Sequence, residues 1–456
     1  ISNGVGASVG LEAAYSQIGS AFASKWGHAF RVRRADMRML VGCGAAGAIA
    51  AAFDAPLAGA FYAFELVIGT YQVAAFAPVA ACAIVAMGTA RALGVESFGV
   101  PLTDLRIEPL DYIPILALGM LCALLGIAIM RGVTLTEELF RRSRVPVWLR
   151  PAAGGLLVGA LALITPAVLS SGHGALNAMV EAQLGLGFLV ALVVLKSTAS
   201  AISIGSGFRG GLFFASLFMG AMLGKAFAAA HALIAADHAV APMVAAIVGM
   251  SGLAVAVVGA PLTMGFLALE STGSLPMTAA VLAACAVSAL TVRKTFGYSF
   301  ATWRFHLRGE AIRSAVDIGW MRSLTVGRMM RGDFHTTHAA TLVGDFKRDH
   351  SLGEEHRVIV LDDEERYAGI VLPSEVHADA DDAHHVSDIL HHADAMLLPG
   401  MTIKEAVAMF ENAESDALAV VDGPRTRRVL GILTEQHALR RYSEELDRRR
   451  RELSGE

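Results

Sequence analysis

The chain has 456 residues, of which 55% are hydrophobic and only 17% are charged, and its formal net charge is -4. With a mean hydropathy of +0.54, a chain of this length is too apolar for a soluble protein, and the composition predicts a multi-span membrane protein. The sequence contains no basic stripe interleaved with aromatic residues, which excludes a nucleic-acid partner.

The sequence also gives no indication of an enzyme or of a metal site. It contains no nucleophile-base pair, metal-ligand cluster or phosphate-binding loop. Its four cysteines stand singly in apolar segments, and we interpret them as small buried residues: Cys43, Cys82, Cys122 and Cys285.

The first stretch of interest is Gly6 to Gln17, where the carboxylate of Glu12 lies among small residues at a predicted helix start. A charge in hydrocarbon costs about 2.5–3.5 kcal/mol, which favours a role on a pathway. A carboxylate that only complements the helix dipole is the structural alternative. Because the chain opens on Ile1 without a Met or a basic leader, we expect an N-terminal part of the domain to precede it.

The apolar segments that follow are uneven in length, and several are shorter than the ~20 residues of a straight membrane span. They cover residues 38–53, 55–72, 74–92, 112–130, 151–169, 186–202, 211–235, 241–258, 261–270 and 276–292. Short segments interrupted by Gly or Pro are typical of broken helices that line a pathway. The basic clusters between segments, 31–38 and 141–150, are expected to face the cytoplasm.

Two motifs recur at one offset of 205 residues. Residues 18–23, with the sequence IGSAFA, correspond to residues 223–228, with the sequence LGKAFA. Ala55-Pro56-Leu57 with Glu65 corresponds to Ala260-Pro261-Leu262 with Glu270. Two motifs in one register predict an internal duplication of a transporter-like fold.

After about residue 310 the chain becomes charged and rich in His, and its apolar runs fall to four to six residues. Residues 357–361, 369–372, 417–421 and 431–434 are predicted strands, and residues 403–410 a helix. They predict two copies of a small α/β unit, at 321–378 and 386–443, after a linker at 311–320 and before a charged helix at 444–456. The His-rich loops are interpreted as solvated, without a metal.

Four places resemble the CLC family of chloride channels and proton/chloride antiporters. Gly10-Leu11-Glu12-Ala13-Ala14 falls where the family has Gly-Arg-Glu-Gly-Pro, and residues 54–59, DAPLAG, where it has Asn-Ala-Pro-Leu-Ala-Gly. Gly205-Ser206-Gly207 with Gly210-Gly211-Leu212-Phe213 resembles its filter loop, and Tyr298 its pore tyrosine. The resemblance implies an all-α polytopic membrane domain with broken helices and an inverted repeat over 1–310, followed by a small α/β tandem CBS domain.

The resemblance also implies roles for residues. Glu12 would be the gate, and chloride would be bound by the Gly10 region, by the amides of Leu212 and Phe213, and by the Tyr298 hydroxyl. Glycine-rich helix starts expose N–H groups that can hold an anion without a trapping cation. An interfacial aromatic role for Tyr298 and close helix packing for Gly210-Gly211 are the structural alternatives.

The choice between passive conduction and proton-coupled exchange depends on residues 65 and 66. The family alignment places Glu65 on a shared structural acid, with Glu270 as its mate in the repeat, and Leu66 on the proton-relay position of the antiporters. Leucine carries no proton, which favours passive, channel-like chloride conduction gated by Glu12. Proton-coupled exchange is the alternative within the family, and a non-transporting membrane sensor with a regulatory tail is the alternative outside it.

The remaining expectations concern the tail and the partners. Thr434 matches a nucleotide-contacting position of CBS domains, but His437 stands where an Asp usually holds the ribose, so binding of an adenine nucleotide is doubtful. No other cofactor is expected. The resemblance implies a homodimer in the inner membrane with its tail in the cytoplasm, and a central serine ligand located before Ile1.

Overall fold

The structure is a computed structural model that describes residues 2–71, 73–95, 107–180, 182–235, 238–297, 299–300, 302–303, 324–353, 357–378, 381–441 and 443–444. Tyr298, the linker at 311–320 and residues 445–456 of the predicted C-terminal helix lie outside these residues. The chain divides into two compact units, Ile1–Asp317 and Ile318–Glu456.

The first unit is helical. Its α-helices are α1 Glu12–Ala29, α2 Arg34–Phe53, α3 Pro56–Tyr62, α4 Val73–Ala92, α5 Tyr112–Arg142, α6 Arg150–Ala162, α7 His173–Met179, α8 Leu186–Gly205, α9 Phe213–Ile234, α10 Pro242–Val258, α11 Pro261–Thr272 and α12 Leu275–Thr295. A π-helical segment, Ala63–Ile68, continues α3, and 3-10 turns cover Pro109–Asp111, Val147–Leu149 and Pro166–Val168. A proline stands at the first or second residue of α3, α6, α10, α11 and α12. Proline is tolerated there because the backbone N–H groups of a first turn make no hydrogen bond within the helix, so the lack of one costs nothing.

Within the residues that the structure describes, six stretches are long and apolar enough to cross a membrane: Asp36–Phe53, Val73–Ala92, Pro109–Arg142, Leu186–Gly205, Phe213–Ile234 and Leu275–Thr295. Three further apolar stretches are shorter: Pro56–Ile68, Val147–Ala162 and Pro242–Val258. The mixture confirms the prediction of a polytopic helical domain with short helices.

The helix pairs α1–α2 and α9–α10 show the same close packing in the two halves of the repeat. A Cβ atom on Gly44 would lie 2.3 Å from the carbonyl oxygen of Gly19, and one on Gly249 would lie 3.0 Å from the Cα atom of Gly224. Gly44 and Gly249 stand at the sequence offset of 205. The glycines therefore let backbones touch at matching places.

The ends of α2 and α10 also correspond. Asp54 ends α2 with φ 55°, and Gly259, 205 residues later, ends α10 with φ 86°. Left-handed backbone favours Gly at a helix end but tolerates Asp. The carboxylate of Asp54, which stands where the CLC motif has Asn, accepts two hydrogen bonds from Arg91, at 2.5 and 2.8 Å, so its charge is paired.

The second unit is α/β. It contains α13 Val326–Met329, β1 Thr336–His338, α14 Val343–Asp349, β2 Val358–Leu361, β3 Tyr367–Val371, α15 Pro373–Ala378, a 3-10 turn at Val386–Ile389, α16 Ile403–Ala413, β4 Ala417–Val421 and β5 Val429–Thr434. Strand β1 pairs parallel with β2, while β2–β3 and β4–β5 are antiparallel hairpins. The four predicted strands and the predicted helix are confirmed, and β1 is additional.

In this unit, one segment of each half packs against the hydrophobic core of the other half. Leu324, Val326 and Met329 pack with Phe410 and Leu418 of the α16–β5 half, and the Arg331 amide donates to the Ile432 carbonyl. In return Val386 packs with the core of the β1–β3 half. The N-terminal segment of each half thus completes the other half.

Candidate functional site

The site is built where the starts of α1 and α9 meet. The Gly10 amide donates to the Gly211 carbonyl at 2.7 Å, and the Gly211 amide donates to the Gly10 carbonyl at 3.2 Å. Just upstream, the Ser8 amide donates to the Ser203 hydroxyl at 2.9 Å, which ties this segment to α8. The chain that leads into α1 is therefore fixed against the start of α9.

Glu12 is the first residue of α1, and its side chain is buried with 1% exposure. Its Oε2 accepts a long hydrogen bond, 3.4 Å, from the Phe214 amide in the first turn of α9. Its Oε1 is buried and has no hydrogen-bond partner in the part of the chain that the structure describes. A carboxylate thus lies at the partly positive N-terminus of a 22-residue helix.

The glycines beside Glu12 leave it the necessary space. A Cβ atom on Gly10 would lie 2.3 Å from Glu12 Oε2, and one on Gly210 would lie 2.6 Å from the Val9 Cβ atom. A side chain at position 10 would therefore compete with the carboxylate for its place. Gly10, Gly210 and Gly211 are brought together with Glu12.

The other half of the predicted filter loop lies against different helices. A Cβ on Gly205 would lie 2.4 Å from the Thr136 hydroxyl of α5, and the Ser206 hydroxyl fills the space above Gly154 of α6. Gly207 has φ +105°, a conformation that favours glycine. Gly205, Ser206 and Gly207 shape the turn out of α8 rather than contact Glu12.

Aromatic rings surround the start of α9. Phe213 lies 5.3 Å from Phe53 and 6.1 Å from Tyr62, measured between ring centroids. Phe214 stacks on His173, the first residue of α7, with 3.3 Å between centroids and 16° between planes. His173 was missed by the sequence analysis, because a lone His in a glycine-containing loop has no distinguishing pattern.

A cavity of about 740 Å³ opens beside the carboxylate. Its walls are mostly small apolar residues of α1, α2 and α4, such as Gly44, Gly47, Ala48 and Ala86. The titratable side chains on it are those of Glu12, Tyr15, Cys43, Cys82 and His173.

Two buried lysines also escaped the sequence analysis. Lys196 of α8 has 0% exposure, and its Nζ donates to the carbonyls of Val168, Leu169 and Ser170 at 3.0, 3.1 and 2.8 Å. The Nζ of Lys225 in α9 donates to the carbonyls of Met179, Val180 and Ala182, at 2.8, 3.0 and 2.5 Å. Each ammonium group holds the last carbonyls of a short helical turn, where positive charge is favourable.

Glu65 and Glu270 lie at a related pair of helix starts. The Glu65 carboxylate accepts from the amides of Leu262 and Thr263 at the start of α11, at 3.0 and 2.9 Å. That of Glu270 accepts from the amides of Leu57 and Ala58 at the start of α3, at 2.8 and 2.9 Å. Leu66 lies beside Glu65 within the π-helical segment.

Residues 1–293 match a family model described as "Voltage gated chloride channel", and residues 386–444 match the CBS domain. The chain belongs to the voltage gated chloride channel family. It is similar to a putative chloride channel protein, ClcB-like, of Ralstonia nicotianae, with 32% identity over 300 residues, 64% of this chain and 69% of the relative. It is also similar to the voltage-gated ClC-type chloride channel ClcB of Escherichia coli, with 29% identity over 292 residues, 63% of this chain and 69% of that protein.

Solved structures show the same fold. A slow cyanobacterial Cl⁻/H⁺ antiporter shares 25% identity at a TM-score of 0.59, covering 67% of this chain and 73% of its own. A eukaryotic CLC transporter shares 18% identity at a TM-score of 0.54, covering 94% of this chain and 77% of its own. These matches confirm the fold class and the resemblance, and this chain is a multi-pass membrane protein of a chloride transport family.

In the tail, the Thr434 hydroxyl accepts from the His437 amide at 3.3 Å and so caps the following helical residues. The Thr434 hydroxyl therefore bonds to a backbone amide of its own unit. Among the described residues, no group of three His, Cys, Asp or Glu side chains is arranged to hold a metal ion.

Proposed function

We propose that this protein conducts chloride passively across the membrane and that Glu12 is its gate. One observation carries the proposal: the buried Glu12 carboxylate, itself an anion, occupies the N-terminus of α9 and accepts from the Phe214 amide. A site that holds a carboxylate by backbone N–H groups is suited to a small anion once the carboxylate leaves.

The neighbouring amides supply the rest of the anion site. The Leu212 and Phe213 amides at the start of α9, where the first N–H groups have no partner within the helix, contribute to it with the Tyr298 hydroxyl. The amide of Gly10 donates to the Gly211 carbonyl, so Gly10 contributes through the space that its missing side chain leaves. Several weak ligands favour passage over tight binding.

Passive conduction is favoured over proton coupling by Leu66, which has no titratable group at the position of the relay acid. The second candidate is proton-coupled exchange, and the solved antiporter with 25% identity supports it. In either case Glu65 and Glu270 serve the fold, because each carboxylate already holds two backbone amides.

Purified protein in liposomes separates these functions. For a channel, a chloride gradient drives chloride flux but no steady uphill proton flux. Glu12→Gln should change the flux strongly, whereas Glu138→Gln, a half-exposed acid at the end of α5, is the matched control. Uphill proton movement would establish exchange instead, and the absence of chloride flux from both wild type and Glu12→Gln would favour the non-transporting sensor.

The proposal extends to the assembly. The protein is a homodimer in the inner membrane, each subunit with its own pore, and its tail faces the cytoplasm. The tail stabilises the dimer, and binding of an adenine nucleotide near Thr434 is disfavoured because His437 stands where CBS domains usually have the Asp that holds the ribose.

A further inference from the structure

We propose that His173 is the group through which the Glu12 carboxylate exchanges its proton with water. This inference rests on the proposed gating role of Glu12 and adds the route by which the gate titrates. The two residues are 161 positions apart in sequence and meet through α9.

The geometry joins them in two ways. The imidazole stacks on the Phe214 ring at 3.3 Å, and the amide of that same residue donates to Glu12 Oε2. His173 and Glu12 also line one cavity of about 740 Å³, and Glu12 Oε1 is buried without a partner among the described residues. An unpaired buried carboxylate oxygen requires a partner, which a proton or a donor group supplies.

Hydrogen bonds in its own loop hold the imidazole in place. Its Nδ1 lies 2.6 Å from the Ser171 hydroxyl, so Nε2 remains for exchange. The preceding carbonyls, from Val168 to Ser170, are fixed by the Nζ of Lys196. Lys196 is therefore a positioning residue for the loop that presents His173.

The charged and titratable groups around His173 are few. Glu12 and Tyr15 of α1, Cys43 of α2 and Cys82 of α4 share its cavity, while Lys225 of α9 holds the far end of α7. Phenols and thiols ordinarily titrate above pH 8. Imidazole is the side chain that gains and loses a proton between pH 5 and 8, which suits it to pass protons to a carboxylate.

The step conserves charge and protons. The imidazolium gives the proton on Nε2, through water in the shared cavity, to Glu12 Oε1, which leaves a neutral imidazole and a neutral carboxylic acid. The neutral acid gives up the anion site, and the imidazole takes a new proton from a hydronium ion that reaches it from bulk water. The same proton-transfer steps in the opposite direction close the gate. Leu66 takes no part, so this route is independent of the relay position.

A pH jump applied to the full chain in liposomes tests the inference, with chloride flux followed by a chloride-sensitive dye. His173→Phe keeps a ring on Phe214 but has no proton to give. We expect its flux to respond to the jump about 100-fold more slowly, the size of a general acid-base contribution. His231→Phe is the matched control, since His231 lies on α9, stacks on Phe227 and is absent from the cavity wall. Added imidazole should restore a fast response in His173→Ala.

The outcomes separate the two proposals. If Glu12→Gln abolishes the pH response while His173→Phe responds as fast as wild type, the role of His173 is overturned and the gate stands. If Glu12→Gln leaves flux and pH response unaltered, the gating function itself fails. Should His173→Phe not fold, His173→Gln replaces it in the same comparison, and a wild-type response from that variant overturns the inference.

Discussion

Glu65 and Glu270, which stand 205 residues apart, each cap the helix that begins in the other half of the repeat. The carboxylate in each half of the repeat accepts hydrogen bonds from two amides of the other half. These are the amide of the Leu in the Ala-Pro-Leu motif and the amide of the residue after it. The duplication is therefore visible as a reciprocal exchange of hydrogen bonds and not only as similar sequence.

The first prediction concerns this exchange. Glu65→Gln or Glu270→Gln places an amide NH₂ group against backbone donors, and bonds to a charged acceptor contribute about 1.5–3 kcal/mol each. We expect each variant to lower the free energy of unfolding in detergent by about 2 kcal/mol, and Glu65→Gln to lose more because the Thr263 hydroxyl also donates to Glu65. Glu137→Gln, on α5, is the control. Unfolding curves that match this control would contradict the capping role.

The second prediction uses the space beside Glu12. Gly10→Ala places a methyl group 2.3 Å from Glu12 Oε2 and should displace the carboxylate from the Phe214 amide. Chloride flux at neutral pH should then approach that of Glu12→Ala and lose most of its pH response. Gly159→Ala is the matched control, because a Cβ atom there has no atom within 4 Å. A normal pH response in Gly10→Ala would mean that the carboxylate does not need this position.

The third prediction concerns Lys196. Lys196→Met keeps an unbranched side chain but leaves three carbonyls, one buried and two partly buried, without their donor. Because a buried unsatisfied group costs about 1–3 kcal/mol, we expect a loss of at least about 2 kcal/mol in unfolding free energy. The same change at the exposed Lys294, in the last turn of α12, should have little effect. Equal thermal stability of the two variants would refute the role of Lys196.

The fourth prediction concerns the tail. Burial, together with the positive charges of His391 and Arg357, lowers the pKa of His392, and burial with Arg331, Arg440 and Arg441 lowers that of His437. The unfolded tail therefore binds protons more readily, so stability is fully present above about pH 6.5 and falls as the pH drops below it.

Hydrogen exchange of the β4 and β5 amides in the full chain measures this effect at pH 7 and pH 5. Protection should fall at pH 5 in wild type, and less so in His392→Asn, since Asn also tolerates the positive φ of 57° at that position. His338→Asn, on the exposed face of β1, is the control. If His392→Asn showed the wild-type loss of protection, burial of this imidazole would not be the cause.

Most helices and strands followed from the sequence, because long apolar runs bounded by Pro or Gly leave few alternatives. The predicted segment 186–202 became α8 at Leu186–Gly205, and 417–421 became β4. Strand β1, Thr336–His338, was missed, since three polar residues carry no alternation and become a strand only by pairing with β2.

The candidate site was half predictable. Glu12 and the glycines stood out because they form local motifs. His173, Lys196 and Lys225 did not, because their partners are rings and carbonyls that the fold brings from elsewhere. No spacing in sequence shows that Lys225 meets the end of α7, 46 residues earlier.

The crossed segments of the tail have a consequence for synthesis. When a ribosome has released residues up to Ala378, the side chains of Leu324, Val326 and Met329 still lack their partners on α16, β4 and β5. The hydrophobic core of the β1–β3 half is likewise incomplete until Val386 has been synthesised. The crossed side chains of the nascent tail therefore stay unburied until the strands that cover them have been synthesised, so the two halves complete their cores together.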